Sequence, residues 1–119
     1  MYYTYMLRCT DDSIYTGITT DLKRRMDEHF TQGEKCAKYT KRHKAKKLEA
    51  AWSSEDRKLA SKLEYYIKHL PKSEKEDIIK HNKNITVLSE KLDITSYKRI
   101  RLKRWRVMEK EAFFKLSYG

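Results

Sequence analysis

Cysteine, proline and long apolar runs are nearly missing from this chain, and acidic residues are in short supply. Its 119 residues hold two cysteines, Cys9 and Cys36. They lie outside any Cys-x-x-Cys pair, which argues against a zinc site or a redox motif. Cys9 reads as a core thiol and Cys36 as a loop thiol in a cytoplasmic protein. No stretch approaches the ~20 apolar residues of a membrane span. The start, "MYYTYMLRC", lacks the basic region and apolar run of a signal peptide, and no lipidation signal is present. There is no internal repeat and no low-complexity linker. Acids number 17 against 28 lysines and arginines, so the net charge is +11. That excess bears on partners rather than on fold. The leading partner is nucleic acid, whose counterions are released when cations neutralise it. An anionic membrane surface would call for an aliphatic amphipathic face or an anchor, so no membrane association is expected.

What is present suits one compact domain with an appendage. "YYTYMLRC" (2–9) and "SIYTGI" (13–18) have strand composition and flank the turn "TDDS", which predicts an antiparallel hairpin. Leu22, Met26 and Phe30 recur at helical spacing. Thr19 or Thr20 caps that helix, with Asp21 in its first turn. Residues 31–46 read as a loop. From Lys35 to Lys47 the chain holds seven Lys/Arg and no acid. "KLEAAWS" (47–53) is a third strand. Ser53 or Ser54 caps a helix whose core face is Leu59, Leu63, Ile67 and Leu70, and Pro71 stops it. "SEKE" (73–76) is a capping box for a further helix. The predicted class is α+β: a small three-stranded antiparallel sheet flanked by helices, in the order β-β-α-β-α-α.

Residues 83–119 are expected to form a basic helical extension, with Trp105, Met108, Ala112 and Leu116 at helical spacing. Residues 97–106 alone carry six basic side chains. Two readings stand. One is a helix-turn-helix cadence with a basic second helix from Tyr97. The other is a terminal helix packed on the preceding domain.

Certain side chains exceed what packing asks for. Arg25 and His29 share one helix face beside the apolar stripe. Tyr5 and Tyr15 lie on the two hairpin strands, and Glu64 flanks the core face of its helix. Together they suit phosphodiester hydrolysis. A carboxylate holds a divalent cation, an arginine neutralises phosphoryl charge, and a phenol or imidazole takes a proton from water.

The residues "YML" (5–7) and "YTG" (15–17), with Arg25 ten residues after Tyr15, His29 four further on, and Glu64 in "LEYYIK", resemble the GIY-YIG nuclease superfamily. The likeness is to its small single-domain bacterial branch, covers about residues 1–80, and implies a nuclease domain of residues 1–82. The first motif departs from the pattern, reading "TYM". The resemblance implies a metal-dependent DNA endonuclease serving DNA repair or processing. Tyr15 would be the general base or water-orienting phenol and Tyr5 would assist it. Arg25 would contact the scissile phosphate, and His29 would position water or phosphate. Glu64 would bind Mg²⁺ or Mn²⁺. The basic loop suggests DNA contacts from Lys38, Tyr39, Lys41 and Arg42, and the tail from Arg99, Arg101, Lys103 and Arg104. The rival is a non-catalytic nucleic-acid-binding module that keeps the fold.

Overall fold

The structure is a computed structural model that describes residues 1–31, 38–80 and 85–102. Strands β1 (Tyr2–Cys9) and β2 (Ile14–Thr19) form the expected hairpin, in register from Tyr3↔Thr19 to Arg8↔Ile14. Short polar side chains close its turn. Asp12 adopts φ 70°, a left-handed conformation that Asp tolerates better than bulkier residues. The Asp11 carboxylate accepts from the Ser13 backbone N–H at 3.1 Å and from its hydroxyl at 2.6 Å.

Helix α1 (Leu22–Thr31) follows. Its cap is Asp21 rather than a threonine, since Asp21 Oδ1 accepts from Arg24 N at 3.1 Å. Thr19 Oγ1 in turn accepts from Asp21 N. Within the segment expected to be all loop lies a short helix, α2 (Lys38–Arg42). β3 (Ala45–Ser54) is longer than predicted at both ends. Its pairing with β1 reaches Tyr2↔Ser54, so the serines stay in the strand. The cap of α3 (Arg57–Lys68) passes to Asp56, which accepts from Leu59 N. α4 (Lys72–Lys80) begins just after Pro71, one residue before the expected capping-box serine.

The sheet order is β2-β1-β3-β4. The added strand, β4 (Lys98–Arg99), makes the sheet four-stranded where three strands were expected. β1 is central and β2 is an edge. Alternation along β1 sends neighbouring residues to opposite faces. Tyr5 and Leu7 join Leu22, Met26, Phe30 and Leu48 beneath α1. Met6 joins Trp52, Leu63, Ile67 and Ile78 beneath α3 and α4. The expected stripes of α1 and α3 are therefore the buried ones, with Leu59 and Leu70 packed at the margin.

Beyond α4, Ile85, Leu88, Leu92 and Tyr97 complete the second core. Ile85 and Leu88 lie on one 3₁₀ turn, Ile85–Leu88; Leu92 precedes and Tyr97 follows a second, Ile94–Ser96. The Tyr97 hydroxyl donates to the Leu59 carbonyl at 2.7 Å. Where the helix-turn-helix cadence placed a basic helix from Tyr97, the described chain instead runs extended into β4. Cys36, Lys103, Arg104, Trp105, Met108, Ala112 and Leu116 lie outside the described residues. No helix among the described residues is long and apolar enough to cross a membrane.

Candidate active site

The hairpin and helix α1 bring four of the five expected catalytic side chains, Tyr5, Tyr15, Arg25 and His29, together at the β2 edge. Tyr5 is opposite Gly17 in the ladder, so its ring lies over a position with no side chain. A Cβ at Gly17 would stand 2.7 Å from Tyr5 Oη, and 2.8 Å from both Tyr5 Cζ and Tyr15 Cε2. The φ of Gly17 is not positive. Gly17 is thus set by the close approach of the two phenols, not by backbone conformation. A glycine inside a strand pattern was the sequence signal for this clearance.

Tyr5 and His29 are fully buried. The Tyr5 hydroxyl lies 2.7 Å from His29 Nε2 and accepts from Arg25 Nε at 3.4 Å. A guanidinium can only donate. With that bond accepted, the phenol's own proton finds its buried acceptor in Nε2, which places the imidazole proton on Nδ1. An unpaired buried hydroxyl would cost about 1–3 kcal/mol, and this order of donors avoids it. Arg25, Tyr5 and His29 thus form a directional chain. Burial, then the Arg25 charge, lowers the His29 pKa to about 3. Burial likewise pushes the Tyr5 hydroxyl well above an ordinary phenol. Tyr15 and Glu64 add to that rise and Arg25 opposes it. Both residues are therefore neutral near pH 7. Neither is poised to gain or lose a proton there.

Arg25 is held from a second side. Its Nη1 donates to Glu28 Oε1 at 2.8 Å. Glu28 was not among the expected site residues, although its i,i+3 spacing from Arg25 was the available signal. Tyr15 is half-buried and packs edge-on to His29, with ring centroids 5.4 Å apart. Its ring also meets Tyr39 of α2 at 5.5 Å. Tyr39 stacks on His43 at 4.2 Å, and His43 Nδ1 bonds to Asp11 Oδ2. These contacts tie α2 to the hairpin turn. One face of Tyr39 is therefore covered by an imidazole.

Glu64 reaches the region from the other layer, on α3. Its side chain is 24% exposed and pairs loosely with Lys68 at 3.7 Å. Its charge is felt at the Tyr5 hydroxyl. Among the described residues no three His, Cys, Asp or Glu groups converge as a metal cluster.

The expected nucleic-acid contacts divide. Lys38 and Arg42 are exposed on α2, near Tyr15 in the chain of rings, and Lys41 belongs to the same helix. Arg101 is exposed. Arg99 departs from expectation. It lies on β4, at the sheet edge opposite β2. Its guanidinium covers the Trp52 ring at 5.4 Å and donates to the Ile78 carbonyl at 3.1 Å. It is a half-buried packing residue, and burial weighs against its charge.

Residues 1–77 match the GIY-YIG catalytic domain. The chain is 49% identical over 78 residues to the UPF0213 protein FN1575 of Fusobacterium nucleatum, covering 66% of this chain and 76% of that one. It is 36% identical over 103 residues to the UPF0213 protein YsiG of Lactococcus lactis, covering 86% and 97%. The solution NMR structure of the UPF0213 protein BH0048 from Bacillus halodurans is 37% identical. That match covers 78% of this chain and 98% of that one, with a TM-score of 0.44. The chain belongs to the GIY-YIG family, a family of the nuclease type.

Proposed function

We propose that the protein is a divalent-metal-dependent endonuclease that hydrolyses DNA phosphodiester bonds at the β2 edge. The observation that carries this is the double clamp on Arg25. Tyr5 fixes its Nε and Glu28 its Nη1, beside a half-buried phenol, Tyr15. A guanidinium held in place before the substrate arrives loses little freedom when it meets a phosphoryl group. Such preorganised charge is the largest lever on charge that develops in a transition state.

In this reading Arg25 binds the scissile phosphate. Tyr15 orients the attacking water and takes its proton. Tyr5 and His29 are positioning residues: both are buried and neutral, and they act through Arg25 and through the ring packing of Tyr15. Lys38, Lys41 and Arg42 of α2 carry flanking phosphates, and Arg101, Lys103 and Arg104 are further candidates for backbone contact.

The donors present fit a divalent cation of the Mg²⁺ or Mn²⁺ kind. Such ions need only one or two carboxylates when water and substrate phosphate fill the other positions. Glu64 supplies one carboxylate, and its competitor is a loosely paired, half-exposed lysine. When bound, the ion would supply charge neutralisation for the leaving oxygen.

The test is cleavage of labelled single-stranded, duplex and branched DNA with Mg²⁺, with Mn²⁺ and with chelator. Cutting should require metal and be abolished in Glu64→Ala, Tyr15→Phe and Arg25→Ala. Undiminished cutting by Glu64→Ala would sink the metal role. If no ion supports cutting while salt-dependent binding persists, the protein is a non-catalytic binding module instead.

A further inference from the structure

The outward face of α3 presents a pattern that the core does not explain. Arg57, Lys58, Lys62, Tyr65, Lys68 and His69 are all exposed there. Lys58, Lys62, Tyr65 and His69 follow one another at spacings of four, three and four residues, and so form one stripe along the helix. The two lysines stand about one turn (~6 Å) apart along the axis. Tyr65 is 56% exposed; among the described residues the other large exposed apolar side chains are Met1 and Val87.

The Tyr65 ring is not loose. His69 lies against it, with centroids 4.2 Å apart, and Tyr66 meets it edge-on at 5.3 Å. His69 is itself pinned, because its Nδ1 donates to the Tyr65 carbonyl at 2.7 Å while its backbone N–H caps the helix. The result is a rigid aromatic shelf among cations, with Glu64 as its adjacent acid. Those cations are crowded: burial, and then the charge of Lys68, pushes the neighbouring Lys75 down from its ordinary value.

A single exposed tyrosine is ordinary. A pinned one inside a cationic stripe, next to the carboxylate proposed to hold the cation, has the two parts of a single-strand binding surface. These are a ring for a base face and charges that track the backbone. Duplex DNA has no base face to offer such a ring.

We infer that the exposed face of α3 binds an unpaired stretch of the DNA substrate, with one base stacked on Tyr65 and adjoining phosphates on Lys58 and Lys62. This deepens the proposed function and rests on it for the identity of the substrate. It makes the preferred substrate one with an unpaired strand beside the cut.

The test is binding of a labelled oligothymidylate and of a matched duplex, in chelator, by fluorescence anisotropy across a salt series. Tyr65→Ala should weaken single-strand binding about tenfold, the size of one stacked base, and leave duplex binding unchanged. Tyr65→Trp should restore it. The double variant Lys58→Ala/Lys62→Ala should flatten the logarithmic salt dependence by about 1.4, the share of two phosphate contacts on a single strand. Unfolding curves for each variant separate these effects from folding. Single-strand affinity unchanged in Tyr65→Ala, or lost equally for duplex, overturns the inference. A protein that binds in this way yet cuts nothing with any metal would refute the nuclease and leave the α3 surface standing.

Discussion

His29 makes the buried part of the site measurable without any substrate. Its pKa falls from an ordinary 6.5 to about 3 in the folded protein, because an imidazolium there would be desolvated and would face Arg25. Above pH 6.5 both folded and unfolded chains hold the ring neutral, and it contributes no pH dependence. Between pH 6.5 and about 3 the unfolded chain binds a proton that the folded one refuses. Stability is then lost at about 1.4 kcal/mol per pH unit, and below about pH 3 the loss is complete. From pH 7.5 to 4.5 the expected loss from this one group is about 2.7 kcal/mol, a large share of the ~5–15 kcal/mol of a small domain.

Carboxylates with lowered pKa values, Asp11, Glu76 and Asp93, also lose stability in acid, so the wild-type curve alone decides nothing. The control is His29→Gln, which keeps an acceptor for the Tyr5 proton but cannot titrate. Urea unfolding of both proteins at the two pH values gives the difference directly. Wild type should lose about 2.7 kcal/mol more than the variant. Losses equal to within ~0.5 kcal/mol would mean that the ring protonates freely in the folded state. The Arg25–Tyr5–His29 chain would then be wrong as drawn.

Two further substitutions probe the same cluster. Gly17→Ala has a permitted backbone and would ordinarily stabilise by about 0.4–1 kcal/mol through the unfolded chain. The contacts of 2.7 and 2.8 Å that its Cβ would make should reverse the sign, to a loss of about 1–3 kcal/mol in thermal unfolding; a melting temperature at or above wild type would show that the phenols give way. Glu28→Gln removes the anion paired with Arg25 at 2.8 Å. DNA binding in chelator should tighten a few-fold, because an anion beside the proposed phosphate site is gone, while cleavage falls because Arg25 is no longer aligned. Both quantities unchanged would remove Glu28 from the site.

The parts of this molecule that were legible in the sequence are those that repeat locally. Leu22, Met26 and Phe30 announce α1 by their period, and the "TDDS" turn announces the hairpin. What escaped depends on neighbours distant in sequence. Tyr5 and Tyr15 read alike as tyrosines of the two hairpin strands, yet Tyr5 is fully buried, because β1 lies between β2 and β3 and strand order leaves no periodic trace. Serines 53 and 54 read as helix caps, but pairing with Tyr2 and Tyr3 keeps them in the ladder and hands the cap to Asp56. Ile85, Leu88, Leu92 and Tyr97 lie in a stretch whose charge suggested an appendage, yet they fill the second core. Two residues suffice for β4, since backbone pairing to Trp52 and Ser53 defines it, and no side-chain alternation can signal so short a strand.

Net charge is a poor guide to which cations face a partner. Arg8 has a side chain only 13% exposed and donates to Glu49 at 3.2 Å and to Glu76 at 2.8 Å. It ties β1 to β3 and α4. Arg99 covers Trp52, and Arg25 is divided between Tyr5 and Glu28. All three arginines offer planar forks of donors suited to buried acceptors. Of the exposed lysines and arginines described on α2 and α3, Lys38, Lys58, Lys62 and Lys68 outnumber Arg42 and Arg57, and their compact, strongly hydrated charges suit exchange with phosphate and its counterions. Arg8, Arg25 and Arg99 thus build the fold and aim the site, while the exposed cations of α2 and α3, more of them lysine than arginine, lie along the proposed path to it. Replacing a surface lysine should change salt dependence, and replacing one of these arginines should change the fold or the chemistry.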